Sequence, residues 1–479
     1  MSEEKAIKQI PYAVSDFNKF RKGNYYYVDK TSCIRNIEKK GQYLIFVRPR
    51  RFGKSLFLSM LESYYDINKQ DQFDLFFRGT DIHQNPSEER NSYMVLKLDF
   101  SKVASDISLA KESFLNYVKN SASDFVMKYE KFLGIDMKEA NAEFNAIESA
   151  SQVLETLLHY CSLKEQKVYV IIDDYDNFAN TILSTVGEQA FKDINHWGGF
   201  FHAFFSVLKA GTSGLDAPVS RIFMAGVLPI TLDGIISGFN IARNLSLDPD
   251  LNEMLGFNRS EVETMIEYYR QTGKIRHSTP ELLEIMSRWY NHYRFSVDSD
   301  TDVFNTSHIL YFIQEYLDRS KLSMEMIDRN VRSDYNKLRY LLTIGKKGIP
   351  SINANFSKIQ KIFEKQEIRT MINKSFSLSA LPHPNNLVSL LYYFGLLTIR
   401  GIDEEDTIIL VIPNESAKYL YNEVLVLPSF EMDGTGKDGG NKSDKYDEDL
   451  QELFKNAPNV KINKEIDIDA LMNEVNDMG

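Results

Sequence analysis

Cysteine is nearly absent from this 479-residue chain. Only Cys33 and Cys161 occur, far apart and outside any Cys-x-x-Cys pair. A disulfide scaffold and a cysteine-based zinc site are thereby excluded, and a reducing compartment is the natural setting. Long apolar runs are lacking as well. No stretch approaches the roughly 18 uncharged apolar residues that a membrane span needs. The N-terminal MSEEKAIKQIPYA is polar and carries no apolar core of a secretory leader. The expectation is a cytoplasmic protein without membrane contact. Internal repeats are missing, and the single low-complexity segment, GTGKDGGNKSDKYDED at Gly434–Asp449, reads as a flexible linker.

What is present is ordinary in bulk and uneven in detail. Hydrophobic residues make up 43% and charged ones 26%, close to the average of a globular protein, so global disorder is not expected. The formal charge is −11. Between Pro428 and Gly479 there are 13 Asp+Glu against 6 Lys, a net −7, which leaves only −4 for everything before it. Arg319–Lys374 runs the other way, with 13 Lys+Arg against 5 Asp+Glu, a net +8. The average charge argues against a general nucleic-acid binder, while the basic stretch, interleaved with Tyr335, Tyr340, Phe356 and Phe363, keeps a local phosphate-backbone surface open beside a solvated helix face. The acidic tail, helical in pattern at Asp467–Val475, would fold back on that stretch as an electrostatic cover.

The pattern along the chain indicates an α/β unit with a mostly parallel sheet. Gln42–Val47, Tyr93–Phe100, Lys167–Asp173 and Arg221–Val227 read as buried strands. Ser55–Tyr65, Ala150–Leu163 and Glu188–Lys209 read as helices, the last with a break at Gly198-Gly199. Beyond about Leu247 the periodicity becomes helical, at Ser260–Thr272, Pro280–Tyr293, Ser307–Leu317 and Asn336–Leu342. Leu387–Ile399 as a helix, followed by a strand at Thr407–Ile412, would suit a winged-helix-like end. The expected organisation is an α/β unit over residues 1–250, a mainly α-helical unit over 251–427, and an acidic linker and tail over 428–479.

Two features carry chemistry. The first is Arg48-Pro49-Arg50-Arg51-Phe52-Gly53-Lys54-Ser55, directly after a buried strand and directly before a helix. In that setting backbone N–H groups point at phosphate oxygens and the helix dipole favours their charge. Gly53 permits close approach, Lys54 brings a point charge to the β- and γ-phosphates, and the Ser55 hydroxyl is placed to ligate Mg²⁺. Arg50, Arg51, Phe52, Gly53, Lys54, Ser55 and Leu56 are the expected nucleotide-binding residues. Arg48 stands where the general Gly-x-x-x-x-Gly-Lys-Ser motif has its first glycine, so the strict motif fails. The second feature is VYVIIDDYD at Val168–Asp176, five apolar residues running into Asp173-Asp174. Two adjacent carboxylates at a buried strand end repel unless a cation or solvent neutralises them. In a phosphate-loop NTPase the first holds Mg²⁺ and the second orients or deprotonates the attacking water, which assigns Asp173 to the metal and Asp174, with Lys54, to catalysis. Asp174 is shorter than a Glu, so slow hydrolysis is expected.

At these residues the chain resembles a known family. Ile10-Pro11-Tyr12, Ser15-Asp16-Phe17, Tyr26-Tyr27-Val28-Asp29-Lys30-Thr31 and then RPRRFGKSL resemble the AAA-ATPase-like family of bacterial proteins. The Arg50-Arg51 pair is similar to the wider archaeal-type ATPases of the signal-transduction (STAND) group. Further matches are Ile172–Asp176, Ala225-Gly226-Val227, Ser237–Ile241, Leu255-Gly256-Phe257 and Trp289–Phe295, so the resemblance spans roughly residues 7–425. It implies a loop written Arg-Pro-Arg-Arg-Phe-Gly-Lys-Ser/Thr, so Arg48 departs from the general motif and not from the family. His292 stands where such proteins usually have Gly, and Ala225 where a Thr is often found, which removes a polar contact to the γ-phosphate. Many relatives continue into a restriction-type nuclease domain. The Glu-x-Lys triplets Glu3-Glu4-Lys5 and Glu165-Gln166-Lys167 lie in the wrong setting for one.

Other candidates are weaker. His196 and His202 are spaced by six, not the i, i+4 of a helical metal pair. Arg243 reads equally as a γ-phosphate contact or a surface ion pair. Asp29-Lys30-Thr31 reads as nucleotide-positioning or, slightly favoured, as helix capping. The function expected from all this is an Mg²⁺-dependent ATP-binding protein, a slow ATPase working as a nucleotide-controlled switch on an unknown protein partner. The alternatives are a non-hydrolysing interaction scaffold and a nucleic-acid-associated protein using 319–374. No guanine-reading Asn/Thr-Lys-x-Asp motif stands out, which favours ATP over GTP.

Overall fold

The four β-branched and aromatic runs all form strands, and their order in the sheet sets the geometry of the site. The structure, a computed structural model, describes residues 6–103, 107–177, 188–214, 216–231, 241–323, 325–328, 362, 365–377 and 386–425. Most of the basic segment, the helix expected at Asn336–Leu342, the linker and the acidic tail lie outside the described residues.

The chain enters through α1 (Phe17–Lys22) and α2 (Cys33–Lys40), then β1 (Tyr43–Val47) leads into α3 (Lys54–Tyr65). Two short helices, α4 (Phe73–Phe77) and α5 (Asp81–Gln84), connect to β2 (Met94–Asp99). Between β2 and β3 (Val168–Asp173) the chain builds α6 (Ile107–Lys128), α7 (Glu130–Leu133), α8 (Met137–Ala146) and α9 (Ala150–Leu163). Then follow α10 (Glu188–Ala210), β4 (Val219–Gly226), β5 (Ile230–Thr231) and β6 (Arg243–Asn244). The main sheet has five strands in the order β2-β3-β4-β1-β6, every neighbouring pair parallel. Parallel pairing requires both faces to be covered, which explains why all six β3 residues are buried. β4 lies between β1 and β3, so the phosphate-loop strand and the acidic strand are not neighbours. Their carboxyl ends nevertheless open on the same edge, where open α/β sheets bind ligands.

The remainder is mainly helical: α11 (Arg259–Gln271), α12 (Thr279–Tyr290), α13 (Thr306–Arg319), α14 (Leu387–Tyr393) and α15 (Glu415–Leu425). α11 and α12 both start in capping boxes, Asn258 with Glu261 and Ser278 with Glu281, which satisfy otherwise orphaned amides at their first turns. β7 (Glu367–Thr370), β9 (Thr398–Ile402) and β10 (Ile408–Val411) form an antiparallel sheet in the order β7-β10-β9, while β5 pairs with β8 (Phe376–Ser377).

Three elements differ from the reading of the sequence. α10 runs unbroken through Gly198-Gly199, since two glycines cost a helix only about 2 kcal/mol together, less than tertiary packing returns. The helix expected over Leu387–Ile399 stops at Tyr393, where Gly395 turns the chain at φ +78° and a strand begins at Thr398. α12 ends at Tyr290 because His292 takes φ +69°. That left-handed conformation favours glycine and costs other residues about 1 kcal/mol or more. It accounts for His292 being the odd residue at this position.

Candidate functional site

The loop between β1 and α3 is shaped by backbone handedness. Arg51 sits at φ +72° and Gly53 at φ +96°, and a Cβ on Gly53 would meet nothing within 4 Å, so the approach to the loop is open there. Gly53 is also the N-cap of α3 and offers no side chain to the first-turn amides. No acidic residue stands in that first turn either. The helix N-terminus therefore keeps its donors and its positive end directed at the cleft.

That cleft, about 610 Å³, is lined by all seven residues expected to bind nucleotide, Arg50 through Leu56, together with Asp174. Its far walls come from the N-terminal segment at Pro11–Ser15, from Tyr26–Val28, and from Met254–Phe257 at the start of the helical region. A second, polar cleft of about 510 Å³ adjoins it on the β2 side and includes Asp173, Asp99 and Lys97. Ser55 and Asp174 line both clefts, so both stand where the two join.

Electrostatics follow from burial. Lys54 is buried, and its ammonium donates to the carbonyls of Arg48 at 3.0 Å and Pro49 at 3.1 Å. Burial pulls its pKa below the ordinary lysine value, opposed by Asp174, Asp176 and Asp173, while Arg50 adds to the lowering. Burial raises Asp173 above the usual carboxylate range, and the neighbouring Asp174 charge raises it further; the Ser55 side chain and Lys54 pull it back. A buried carboxylate, Asp173, next to the half-buried Asp174 and a serine hydroxyl is the kind of site that a divalent cation completes. Among the described residues no three His, Cys, Asp or Glu side chains form a ready-made metal cage. A serine hydroxyl beside a carboxylate is a donor set that suits Mg²⁺, which keeps waters and shares its ligands with phosphate. Ser55 and Asp173 are the residues that would hold it.

Several placements were not legible in the sequence. Arg48 faces the core rather than the cleft, with only 1% of its surface exposed. Its guanidinium lies between the Phe46 and Phe295 rings, 4.2 and 4.1 Å from their centroids. It donates to the carbonyls of Val47 at 3.0 Å, Ser246 at 2.6 Å and Leu251 at 3.0 Å, and burial pushes its pKa down to about 9. The residue that breaks the general motif is thus a pin between the sheet and the helical region. Phe52 points the same way, edge-on to Tyr293 at 5.0 Å and Phe295 at 5.5 Å, so any role it has toward nucleotide belongs to its backbone. Asp176 is buried and accepts from the amides of Val227 at 3.1 Å and Leu228 at 2.9 Å. A Cβ on Gly226 would lie 2.3 Å from its Oδ1, so glycine is required for β3 and β4 to be joined in this way. The spacing Asp-Tyr-Asp beyond the strand was the available signal. Asp174 itself sits at φ +48° with its amide on Asp173 Oδ1 at 3.0 Å.

Other expectations separate. Arg243 pairs with Leu44 near the start of β1, the end opposite the loop, and contacts Asp248 at 3.6 Å and the Lys40 carbonyl at 3.2 Å. It is a surface ion pair, not a γ-phosphate contact. Ala225 is buried opposite Phe46 and does not line the cleft. Asp29 and Thr31 do cap, although not their own helix: Asp29 accepts from the Asp81 amide at 2.7 Å and Thr31 from the Ile82 amide at 3.1 Å, both in α5. Lys30 lines the cleft and pairs with Glu261 at 2.7 Å. His202 lies 3.4 Å from Ser206 Oγ, and the His196 side chain lies outside the described residues. No helix among the described residues is long and apolar enough to cross a membrane.

Comparison with known proteins agrees with this geometry. A protein of Azotobacter chroococcum mcd 1, described as an uncharacterized protein in the vnfD 5' region, is 24% identical over 315 residues, covering 64% of this chain. The match spans 52%, about half, of that relative's own length. Residues 11–236 match the model of the family described as Predicted AAA-ATPase, a span that includes the loop, the acidic strand end and the N-terminal wall of the cleft. The loop and the acidic strand end thus lie in the part of the chain, just under half of it, that is similar to the AAA-ATPase-like family.

Proposed function

We propose that the protein is an Mg²⁺-dependent ATP-binding protein and slow ATPase that works as a nucleotide-controlled switch. One observation carries the reading: Lys54, Ser55 and Asp174 line one cleft, with Asp173 directly beside Asp174 in the adjoining one. In this reading residues 1–250 hold the nucleotide, and the helical unit at 251–427 closes over it. Lys54 exchanges its loop carbonyls for β- and γ-phosphate oxygens. Ser55 and Asp173 hold Mg²⁺, which supplies neutralisation of the phosphate charge when bound. Asp174 accepts a hydrogen bond from the attacking water and takes its proton. The amides of the loop and of the first turn of α3 stabilise charge on the transferred phosphoryl group. Preference for ATP, and service to a protein partner through closure of the helical unit, complete the proposal.

Turnover tests it. Asp174→Asn keeps the size and the backbone position while removing the proton acceptor. ATP hydrolysis should fall by on the order of 10²-fold with nucleotide affinity kept. Wild-type protein that binds ATP and never hydrolyses it, with Asp174→Asn indistinguishable, would establish the scaffold reading instead.

A further inference from the structure

The peptide units of the phosphate loop are held by the N-terminus of α13, whose Thr306 and Ser307 line the same cleft and lie outside the segment that matches the family. Three successive residues there meet three successive loop carbonyls. The Asn305 side-chain amide donates to the Arg50 carbonyl at 3.5 Å, the Ser307 backbone amide to the Arg51 carbonyl at 3.1 Å, and the Thr306 hydroxyl to the Phe52 carbonyl at 3.2 Å. The positive end of the helix faces these oxygens, which suits carbonyls as it suits anions.

The planarity of the peptide bond turns this into a statement about nucleotide. In a trans peptide unit the C=O and the following N–H point in opposite directions. Drawing the carbonyls of Arg50, Arg51 and Phe52 toward α13 therefore aims the N–H groups of Arg51, Phe52 and Gly53 away from it. Those residues line the cleft, and alternating positive-φ residues such as Arg51 and Gly53 make the anion-binding concavity called a nest. Two more contacts fix the loop. Phe52 is seated edge-on against Tyr293 and Phe295. A Cβ on Gly395 would fall 2.9 Å from Pro49 Cβ.

We infer that Asn305, Thr306 and Ser307 are positioning residues for nucleotide, acting through the loop peptides whose carbonyls they hold. The inference rests on the proposed ATP site and adds a wiring to it. The loop amides and the seat of α13 are two sides of the same peptide units, so whatever moves α13 changes affinity at the cleft, and nucleotide in turn tightens the seat.

The test uses the full chain, with Mg-ATP affinity and thermal midpoint measured together. Thr306→Val removes the hydroxyl at nearly constant shape. Ser307→Pro removes the amide at a helix position where α12 already carries Pro280. One lost hydrogen bond corresponds to about 5-fold weaker Mg-ATP binding. That loss is expected for each variant, with Thr306→Ser restoring wild-type affinity and the thermal midpoint nearly unchanged. Amide exchange at Ser307 should slow several-fold when ATP is added. Variants that bind Mg-ATP like wild type, or whose losses track the thermal midpoint and are not rescued by Thr306→Ser, overturn the inference alone. A wild-type protein that binds no nucleotide overturns the functional reading, and this inference falls with it.

Discussion

Arg48→Gly restores the first glycine of the general phosphate-loop motif, and the structure says that it should damage the protein. The side chain gives three charge-assisted hydrogen bonds, to the carbonyls of Val47, Ser246 and Leu251. At about 2 kcal/mol each these contribute on the order of 6 kcal/mol. The two ring faces, Phe46 and Phe295, contribute about 3 kcal/mol more in a desolvated setting. Against this stands the cost of holding the charge in a buried site, where the pKa falls to about 9 from 12.5, equivalent to about 5 kcal/mol. The balance is a loss of about 4 kcal/mol, which for a unit of this size lowers Tm by roughly 10 °C. Scanning calorimetry reads the midpoint, and titration with Mg-ATP reads the site. The expected result is a lower midpoint and weaker nucleotide binding, because Ser246, Leu251 and Phe295 all lie beyond the sheet and lose their tie to the loop. An Arg48→Gly protein as stable as wild type, with equal or tighter nucleotide binding, would refute the reasoning.

Two further outcomes are expected. Gly226→Ala puts a methyl 2.3 Å from Asp176 Oδ1 and 2.8 Å from the Tyr175 ring, so stability should fall by about 2–3 kcal/mol, and turnover should fall with it, as urea titration and a phosphate-release assay would show. His308 is buried with no partner among the described residues for either ring nitrogen, 5.5 Å from the Tyr290 ring, and burial together with the Arg51 charge pushes its pKa down from 6.5 to about 4. The unfolded chain therefore takes the proton first. Stability is fully present above pH 6.5 and declines as pH falls toward 4, by about 2 kcal/mol at pH 5. His308→Phe should flatten that part of a pH–Tm profile, and an unchanged slope would count against the assignment.

The parts of the site that were legible in the sequence are those specified by a few neighbouring residues. A β-branched run, a glycine-lysine-serine turn and a helix follow one another from Gln42 to Tyr65, and an apolar run ends in Asp173-Asp174. What stayed hidden depends on residues distant in the chain. Arg48 in sequence is another cation of an arginine-rich loop; only the fold sets Phe46 and Phe295 on either side of it and makes it structural. The partners of Asp29 and Thr31 lie in α5, whose capping needs are invisible from Lys30. No pattern marked α6–α8 between the second and third strands, because the stripe that α6 buries at Ala110, Phe114, Val118, Ala122 and Val126 is blurred by the exposed apolar residues Leu109 and Met127. The hold of α13 on the loop joins residues some 250 positions apart and works partly through a backbone amide, which no side-chain motif records.

The central claim is that the Gly53–Ser55 loop binds ATP with Mg²⁺. Calorimetric titration of the full-length protein with Mg-ATP, wild type beside Lys54→Ala, tests it most directly. Saturable binding to the wild type that is weakened at least about 10-fold in Lys54→Ala, the loss of one charge-assisted phosphate contact, is the predicted result. Absence of ATP or GTP binding by the wild type, or binding that Lys54→Ala leaves unchanged, would contradict it.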